Sequence, residues 1–235
     1  MNNWPLVKYP TLNAVHGVTT NSGPDFAIDS AGAADELGER LLLDKMAWVE
    51  QVHGGDVIVA DGSGCIGKAD ALVTTTAGQG VLVRGADCPL LLLSAPGNDG
   101  KVVAAVHASW RSTVREITRN TVALMAGKFG ANPTKMDCII APSAGVCCYE
   151  VGAEVAADAV SRLGENAKQF FRAENGKLFF DLWKANSDQL HRCGVPPHKI
   201  TVSGICTICC DGTYPSYRRD GIKAGRFAAG IGVGK

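Results

Sequence analysis

Between residues 71 and 107 the chain holds four short apolar runs, at 71–74, 81–84, 90–93 and 101–107, each bounded by Gly, Pro or a polar cluster. Each run is too short for an ordinary helix. Each is also too continuously apolar for a strand with one face in water, so all four read as buried strands. Buried strands need covering layers, and the rest of the chain supplies candidates. Further strands are expected at 13–19, 56–60, 136–140, 200–203 and 227–233. A helix is expected over 33–48, capped by Asp29 or Ser30, with Leu37, Leu41, Leu42 and Met46 at near-helical spacing. Another should carry Val114, Ile117, Thr121, Val122 and Met125 on one face, with Ser109, Ser112 and Thr113 as caps and an end at Gly130 and Pro133. The segments 151–163 and 182–193 complete the set, the latter stopped by Gly194 and Pro196-Pro197. Strands interspersed with helices, without strict βαβ regularity, predict an α/β fold with mixed sheets and helices outside. No repeat, linker or shift in composition divides the chain, so residues 1–235 are expected to form a single domain.

Composition removes several classes of function. Lysine plus arginine balance aspartate plus glutamate at 23 each, which argues against a nucleic-acid surface needing a basic excess. Uncharged stretches such as 71–83 and 138–149 fall short of the roughly 20 apolar residues of a membrane span. The N-terminus shows no basic segment followed by an apolar one, so a cytoplasmic setting is expected. The 28 glycines imply many tight turns or close backbone approaches. Nine cysteines are an odd number, and 147–148 and 209–210 are adjacent pairs that bridge poorly within one chain. Most are therefore read as small buried hydrophobes.

Three segments end an apolar run on a side chain able to hold a metal: Gln51-Val52-His53-Gly54, Ala86-Asp87-Cys88-Pro89 and Val106-His107-Ala108-Ser109. Two imidazoles and one thiolate form a borderline-soft set that suits zinc and leaves a fourth position open. Taken singly, each is equally well read as a structural histidine or a packed thiol. Anion-binding candidates are Arg84, Arg111, Arg218 and Arg219, together with a helix start after His107. Asp87 and Glu50 are candidate proton carriers or orienting groups. Cys206-Thr-Ile-Cys209 has C-x-x-C spacing, but no second pair or histidine lies near it in sequence. A structural zinc shared with Cys147-Cys148, 58 residues earlier, is open but unmotivated, and buried thiols are the favoured reading. His16, His191 and His198 read as structural or loop residues. Ser143 in Ala-Pro-Ser-Ala-Gly does not match G-x-S-x-G, and neither a P-loop nor G-x-G-x-x-G is present.

Six segments occurring in order carry a resemblance. They are Gln51-Val52-His53-Gly54, Ala69-Asp70-Ala71-Leu72-Val73-Thr74, Ala86-Asp87-Cys88, His107-Ala108-Ser109-Trp110-Arg111, Cys148-Tyr149-Glu150-Val151-Gly152 and Tyr217-Arg218-Arg219-Asp220-Gly221. The chain resembles the laccase-domain purine nucleoside phosphorylases, the YfiH-like proteins long labelled multicopper polyphenol oxidases, from about residue 48 to its end. The resemblance implies a four-layer α-β-β-α fold similar to that of some cysteine hydrolases. It implies a zinc site of His53, Cys88 and His107, with Arg84, Trp110, Arg111, Arg218 and Arg219 toward substrate or phosphate. The implied activity is phosphorolysis of inosine, adenosine and guanosine, extending to methylthioadenosine and to adenosine deamination. The chain departs from the family at Ser109 and Ser112, where glycines are usual, at Gly85, where Thr is common, and over 141–145, where the family has Gly-Pro-Cys-Ile-Gly.

Three other readings use the same residues differently. Copper-dependent phenol oxidation, the older label, needs many imidazoles, and the chain has five histidines. A metal-free cysteine hydrolase would use Cys88 as nucleophile and His107 as base. A non-catalytic binding module would bind nucleosides without turnover.

Overall fold

Two β-sheets stacked face to face account for the short apolar runs. The structure is a computed structural model describing residues 4–235. The first sheet has the order β1-β14-β6-β2-β4: β1 (Val15–Val18), β2 (Lys45–Glu50), β4 (Gly64–Lys68), β6 (Gln79–Gly85) and β14 (Phe227–Gly232). The second has the order β13-β9-β7-β8-β5-β3: β3 (Val57–Val59), β5 (Ala71–Thr74), β7 (Leu90–Gly97), β8 (Gly100–His107), β9 (Asp137–Ile140) and β13 (Ile200–Val202). Between them lie Val49, Val81, Val83 and Phe227 from the first sheet and Leu72, Leu90, Leu92 and Val103 from the second. Each such fully buried side chain contributes about 1.5–3 kcal/mol, which is why the four central runs are apolar throughout.

Helices cover the two outer faces. Helix α1 (Ser30–Leu41) packs Ala34, Leu37 and Leu41 against Leu82 and Ala228 of the first sheet. On the second sheet, α3 (Ile117–Phe129) and α5 (Leu182–Arg192) place Ile117, Val122, Met125 and Leu190 against Leu91, Leu93, Val106 and Ile140. The expected four layers, α-β-β-α, are present. A smaller cluster built on Tyr149, Val155, Phe170 and Phe180 joins α2 (Trp110–Val114), α4 (Ala153–Leu163) and a sheet of β10 (Glu150–Val151), β11 (Phe171–Glu174) and β12 (Lys177–Phe180). A short α6 (Tyr217–Asp220) precedes β14.

Several local expectations are corrected. The helix expected over 33–48 stops at Leu41, because Leu42 turns left-handed at φ 57° and leads the chain into β2. Met46 belongs to that strand yet packs beside Leu37 and Leu41, so the near-helical spacing came from a shared cluster and not a shared helix. The single helix expected around Val114–Met125 is two, α2 and α3, broken where Glu116 adopts φ 57°. Val114 faces the smaller cluster while Ile117 and Met125 face the second sheet, and one straight helix cannot serve both. His191 sits in the last turn of α5 and not in a loop. Strands β4, β10, β11 and β12 and helix α6 were not anticipated, and the helix expected from 151 begins at Ala153 because Val151 belongs to β10.

Candidate active site

The strand ends bring the three metal-capable segments together. Strands β2 and β6 run parallel, with Ala47 opposite Val81, so their C-terminal ends lie at one edge of the first sheet. The chain leaves β6 at Gly85 and crosses to the second sheet through 86–89, carrying Cys88 between the layers. In the second sheet Leu90 opposes His107, which places the end of β8 beside that crossover. Gln51 ties the first edge shut: its amide donates to Arg84 O at 2.8 Å and accepts from Arg84 N–H at 2.9 Å. Arg115 and Asn120 donate to His53 O (2.8 Å) and Gly55 O (3.0 Å), fixing the loop in which His53 takes a left-handed φ of 58°.

The side-chain donors of His53, Cys88 and His107 all lie within 4.8 Å of one another. The two imidazole rings meet edge to face at 5.1 Å. His107 is buried, and its Nδ1 hydrogen-bonds the fully buried Asp70 carboxylate at 2.7 Å. A carboxylate only accepts, so Nδ1 carries the proton and Nε2 keeps its lone pair. The other Asp70 oxygen accepts from Gly54 N–H (2.6 Å) and Val52 N–H (3.2 Å), so one carboxylate orients His107 and the His53 loop together. Burial pushes the Cys88 thiol up, but the His107 charge and hydrogen bonds from His107 and His53 outweigh it and bring it down to about 6. Burial depresses His107, while the Cys88 charge and the bond to Asp70 raise it to about 9. Each group thus favours the charged form of the other.

A cleft of 400 Å³ opens over these groups, walled by Arg84, Tyr149, Tyr217, Arg218 and Arg226 among others. Arg84 is anchored by bonds to Phe26 O and Ser30 Oγ. Arg218 lies 4.8 Å over the Tyr149 ring and donates to Glu150 O. Trp110 and Arg111 fall outside this cleft, in an adjoining groove that shares Tyr149 and Arg218, with the Arg111 guanidinium stacked 4.4 Å over Trp110. Arg219 lines neither. Its guanidinium is spent on Thr207 O, Tyr214 O and Asp220, so it holds the loop instead of facing the cleft.

Two further expectations fail. The helix start after His107 is not open to an anion: Ser109 Oγ accepts from Ser112 N–H at 3.1 Å and bonds Ser112 Oγ at 2.7 Å, and α2 has only 5 residues. That internal cap gives the two serines a structural role. Glu50 is exposed and pairs with Lys68 at 3.5 Å, away from the cleft. Asp87 lines the cleft but is buried, each carboxylate oxygen accepting one bond, from Thr207 Oγ1 and from Arg218 N–H, both at 2.7 Å, while its backbone is held at φ 91°. It braces the turn that presents Cys88. The sequence reading gave Asp70, Tyr149 and Arg226 no role at the site, although Asp70 and Tyr149 both lie inside motifs.

A family model described as multi-copper polyphenol oxidoreductase laccase matches residues 30–234. This chain belongs to that laccase-domain family. The laccase-domain relatives include a protein of Deinococcus radiodurans named purine nucleoside phosphorylase, 34% identical over 97% of this chain and 93% of its own length. Another is the Escherichia coli protein named purine nucleoside phosphorylase YfiH, 32% identical over 96% of this chain and 88% of its own. Among solved structures, YlmD from Geobacillus stearothermophilus superposes with a TM-score of 0.83 at 27% identity, covering 97% of this chain and 94% of that one.

Proposed function

We propose that this laccase-domain protein is a zinc-dependent purine nucleoside phosphorylase acting on inosine, adenosine and guanosine, with methylthioadenosine cleavage and adenosine deamination as related activities of one site. One observation carries the reading: two imidazoles and a lowered-pKa thiol converge at the floor of a cleft walled by arginines and tyrosines. The phosphorylase names of the relatives support it.

The donor set fits zinc, with His53, Cys88 and His107 as three ligands and the fourth position toward the cleft. When bound, zinc supplies Lewis acidity at the reacting centre. Asp70 keeps His107 in the tautomer whose Nε2 can ligate. Tyr217, half-exposed at the cleft, is the aromatic group available to the purine, while Tyr149 is buried beneath Arg218. Arg84, Arg218 and Arg226 supply positive charge for phosphate. Burial, and with it the like charge of Arg226, depresses the Arg84 guanidinium, so an anion between the two is favoured. In phosphorolysis a phosphate oxygen bonds to C1′ as the C1′–N9 bond breaks, and the purine leaves with the bonding pair and takes up a proton. Nine unbridged cysteines support a reducing, cytoplasmic setting.

Zinc-replete protein incubated with inosine and phosphate should release hypoxanthine, and Cys88→Ala should not. No hypoxanthine above background from wild-type protein with stoichiometric zinc overturns the proposal. Copper chemistry gains little here: His16 bonds Tyr9 N and Ala14 O far along the chain, and the cleft gathers two imidazoles. The second reading, a metal-free cysteine hydrolase, is favoured by the Cys88–His107–Asp70 relay itself, which has the order of a nucleophile, base and orienting acid. Covalent trapping of Cys88 in catalytically active, zinc-free protein would select it.

A further inference from the structure

The cysteines read from sequence as packing include four that are not. Cys147, Cys148, Cys206 and Cys209 bring their sulfurs within 4.8 Å of one another, and all four are unbridged. They come from two loops, 141–149 after β9 and 203–210 after β13, whose strands are parallel neighbours. The loops continue that pairing: Ser143 N–H donates to Ile205 O and Thr207 N–H to Ser143 O. Gly145 makes the approach feasible, because a Cβ there would stand 3.3 Å from both Cys147 Sγ and Cys206 Cβ and closer still to Trp183.

We propose that these four cysteines form a second, structural zinc site, separate from the cleft. An all-sulfur set of four is the donor composition of closed structural zinc sites, with no position left for a substrate. The geometry is near the required one. With Zn–S bonds of about 2.3 Å, a tetrahedron places its sulfurs about 3.8 Å apart; Cys147 Sγ and Cys209 Sγ lie 3.8 Å apart. That is far beyond the roughly 2.0 Å of a disulfide bond. Backbone donors already point at sulfur: Gly145 N–H lies 3.3 Å from Cys206 Sγ, the outer-shell contact that steadies a ligating thiolate. Binding would displace four thiol protons and leave a dianionic centre. Arg172 donates to Val146 O beside Cys147, while another of its guanidinium nitrogens pairs with Glu174.

The site would staple the loops that shape the cleft. Tyr149 follows Cys148 directly and walls the cleft, and Thr207 lies inside the C-x-x-C turn and holds Asp87, the residue before Cys88. The site does not depend on the phosphorylase reading.

Metal content of the full-length protein, purified with zinc present, tests it. Wild type should hold two zinc ions per chain, and Cys147→Ser, Cys209→Ser and Cys88→Ala one each. X-ray absorption of Cys88→Ala, whose remaining zinc would sit at the four cysteines, should show four sulfur neighbours at about 2.3 Å. That spectrum decides the matter if the serine variants fail to fold. Wild-type zinc content in Cys209→Ser, nitrogen or oxygen neighbours in the Cys88→Ala spectrum, or no zinc in Cys88→Ala overturns the proposal. So does a mass deficit of H₂ that maps to a Cys147–Cys209 disulfide. One zinc in wild type that is kept in Cys88→Ala and lost in Cys209→Ser would uphold this site and remove zinc from the cleft instead.

Discussion

Two groups of soft side chains flank Asp87, and they differ in what surrounds them. His53, Cys88 and His107 sit at the floor of a cleft, with mixed nitrogen and sulfur donors and a buried carboxylate behind one imidazole. Cys147, Cys148, Cys206 and Cys209 are all sulfur, line neither the cleft nor its adjoining groove, and are steadied by backbone N–H. Three mixed donors at a cleft floor suit chemistry, whereas four thiols outside the cleft suit a staple. Asp87 connects the two, because it is held by Thr207 on one side and presents Cys88 on the other. Metal type alone would not separate the groups; the count of ligands and the room for another does.

The contrast breaks most visibly at the ligands. Cys88→Ala should bring hypoxanthine release to background, while Cys209→Ser, assayed well below its melting temperature, should keep most of it. Equal loss in both would mean the two clusters act as one centre. The next largest effect is at Asp70. Asp70→Asn replaces one accepting oxygen with an NH2 donor, so either His107 Nδ1–H or the Val52 and Gly54 N–H groups lose their acceptor. Zinc affinity at the cleft should then fall about 10–100-fold while the second zinc is unchanged, read by competition with a chelating dye. The four-cysteine cluster should reveal itself in stability. Zinc at a hundred times its Kd stabilises by about 2.7 kcal/mol. Cys209→Ser should therefore lower Tm by about 5–11 °C at about 2–4 °C per kcal/mol, and an unchanged Tm would remove the staple.

The smallest effect is in proton linkage. In chelator-treated protein Cys88, lowered to about 6, should react with iodoacetamide increasingly as pH rises through 6 and lose reactivity below it. His107→Ala removes the cation responsible and should move that midpoint upward. The linked stabilities oppose each other. His107, raised to about 9, contributes stability that is full below its unfolded value and lost as pH rises through 9. Cys88 contributes stability that is full above its unfolded value and lost as pH falls through 6. Between pH 6 and 9 the two offset, so this pair should leave the stability profile nearly flat.

Much of this was legible in the chain. Continuous apolar runs at 71–74, 81–84, 90–93 and 101–107 could only be enclosed strands, and their ends, His107 and the segment before Leu90, meet at one sheet edge. What failed was reasoning from one-dimensional spacing about residues gathered by the fold. Met46 mimicked a helix position because it packs beside α1 from a strand, and Arg219 looked like an anion ligand although local carbonyls claim its guanidinium. The four-cysteine cluster was undecided for the same reason: a structural zinc joining Cys147-Cys148 to the C-x-x-C pair was open from sequence but unmotivated, since the halves lie about sixty residues apart and meet only because β9 and β13 are neighbours.

The most direct test of the proposed function is the sugar product of inosine cleavage, followed by phosphorus NMR with zinc-loaded protein. Attack by phosphate predicts ribose 1-phosphate appearing in step with hypoxanthine, dependent on added phosphate and absent with Cys88→Ala. Free ribose released at the same rate without phosphate, or no cleavage at all, would contradict the account.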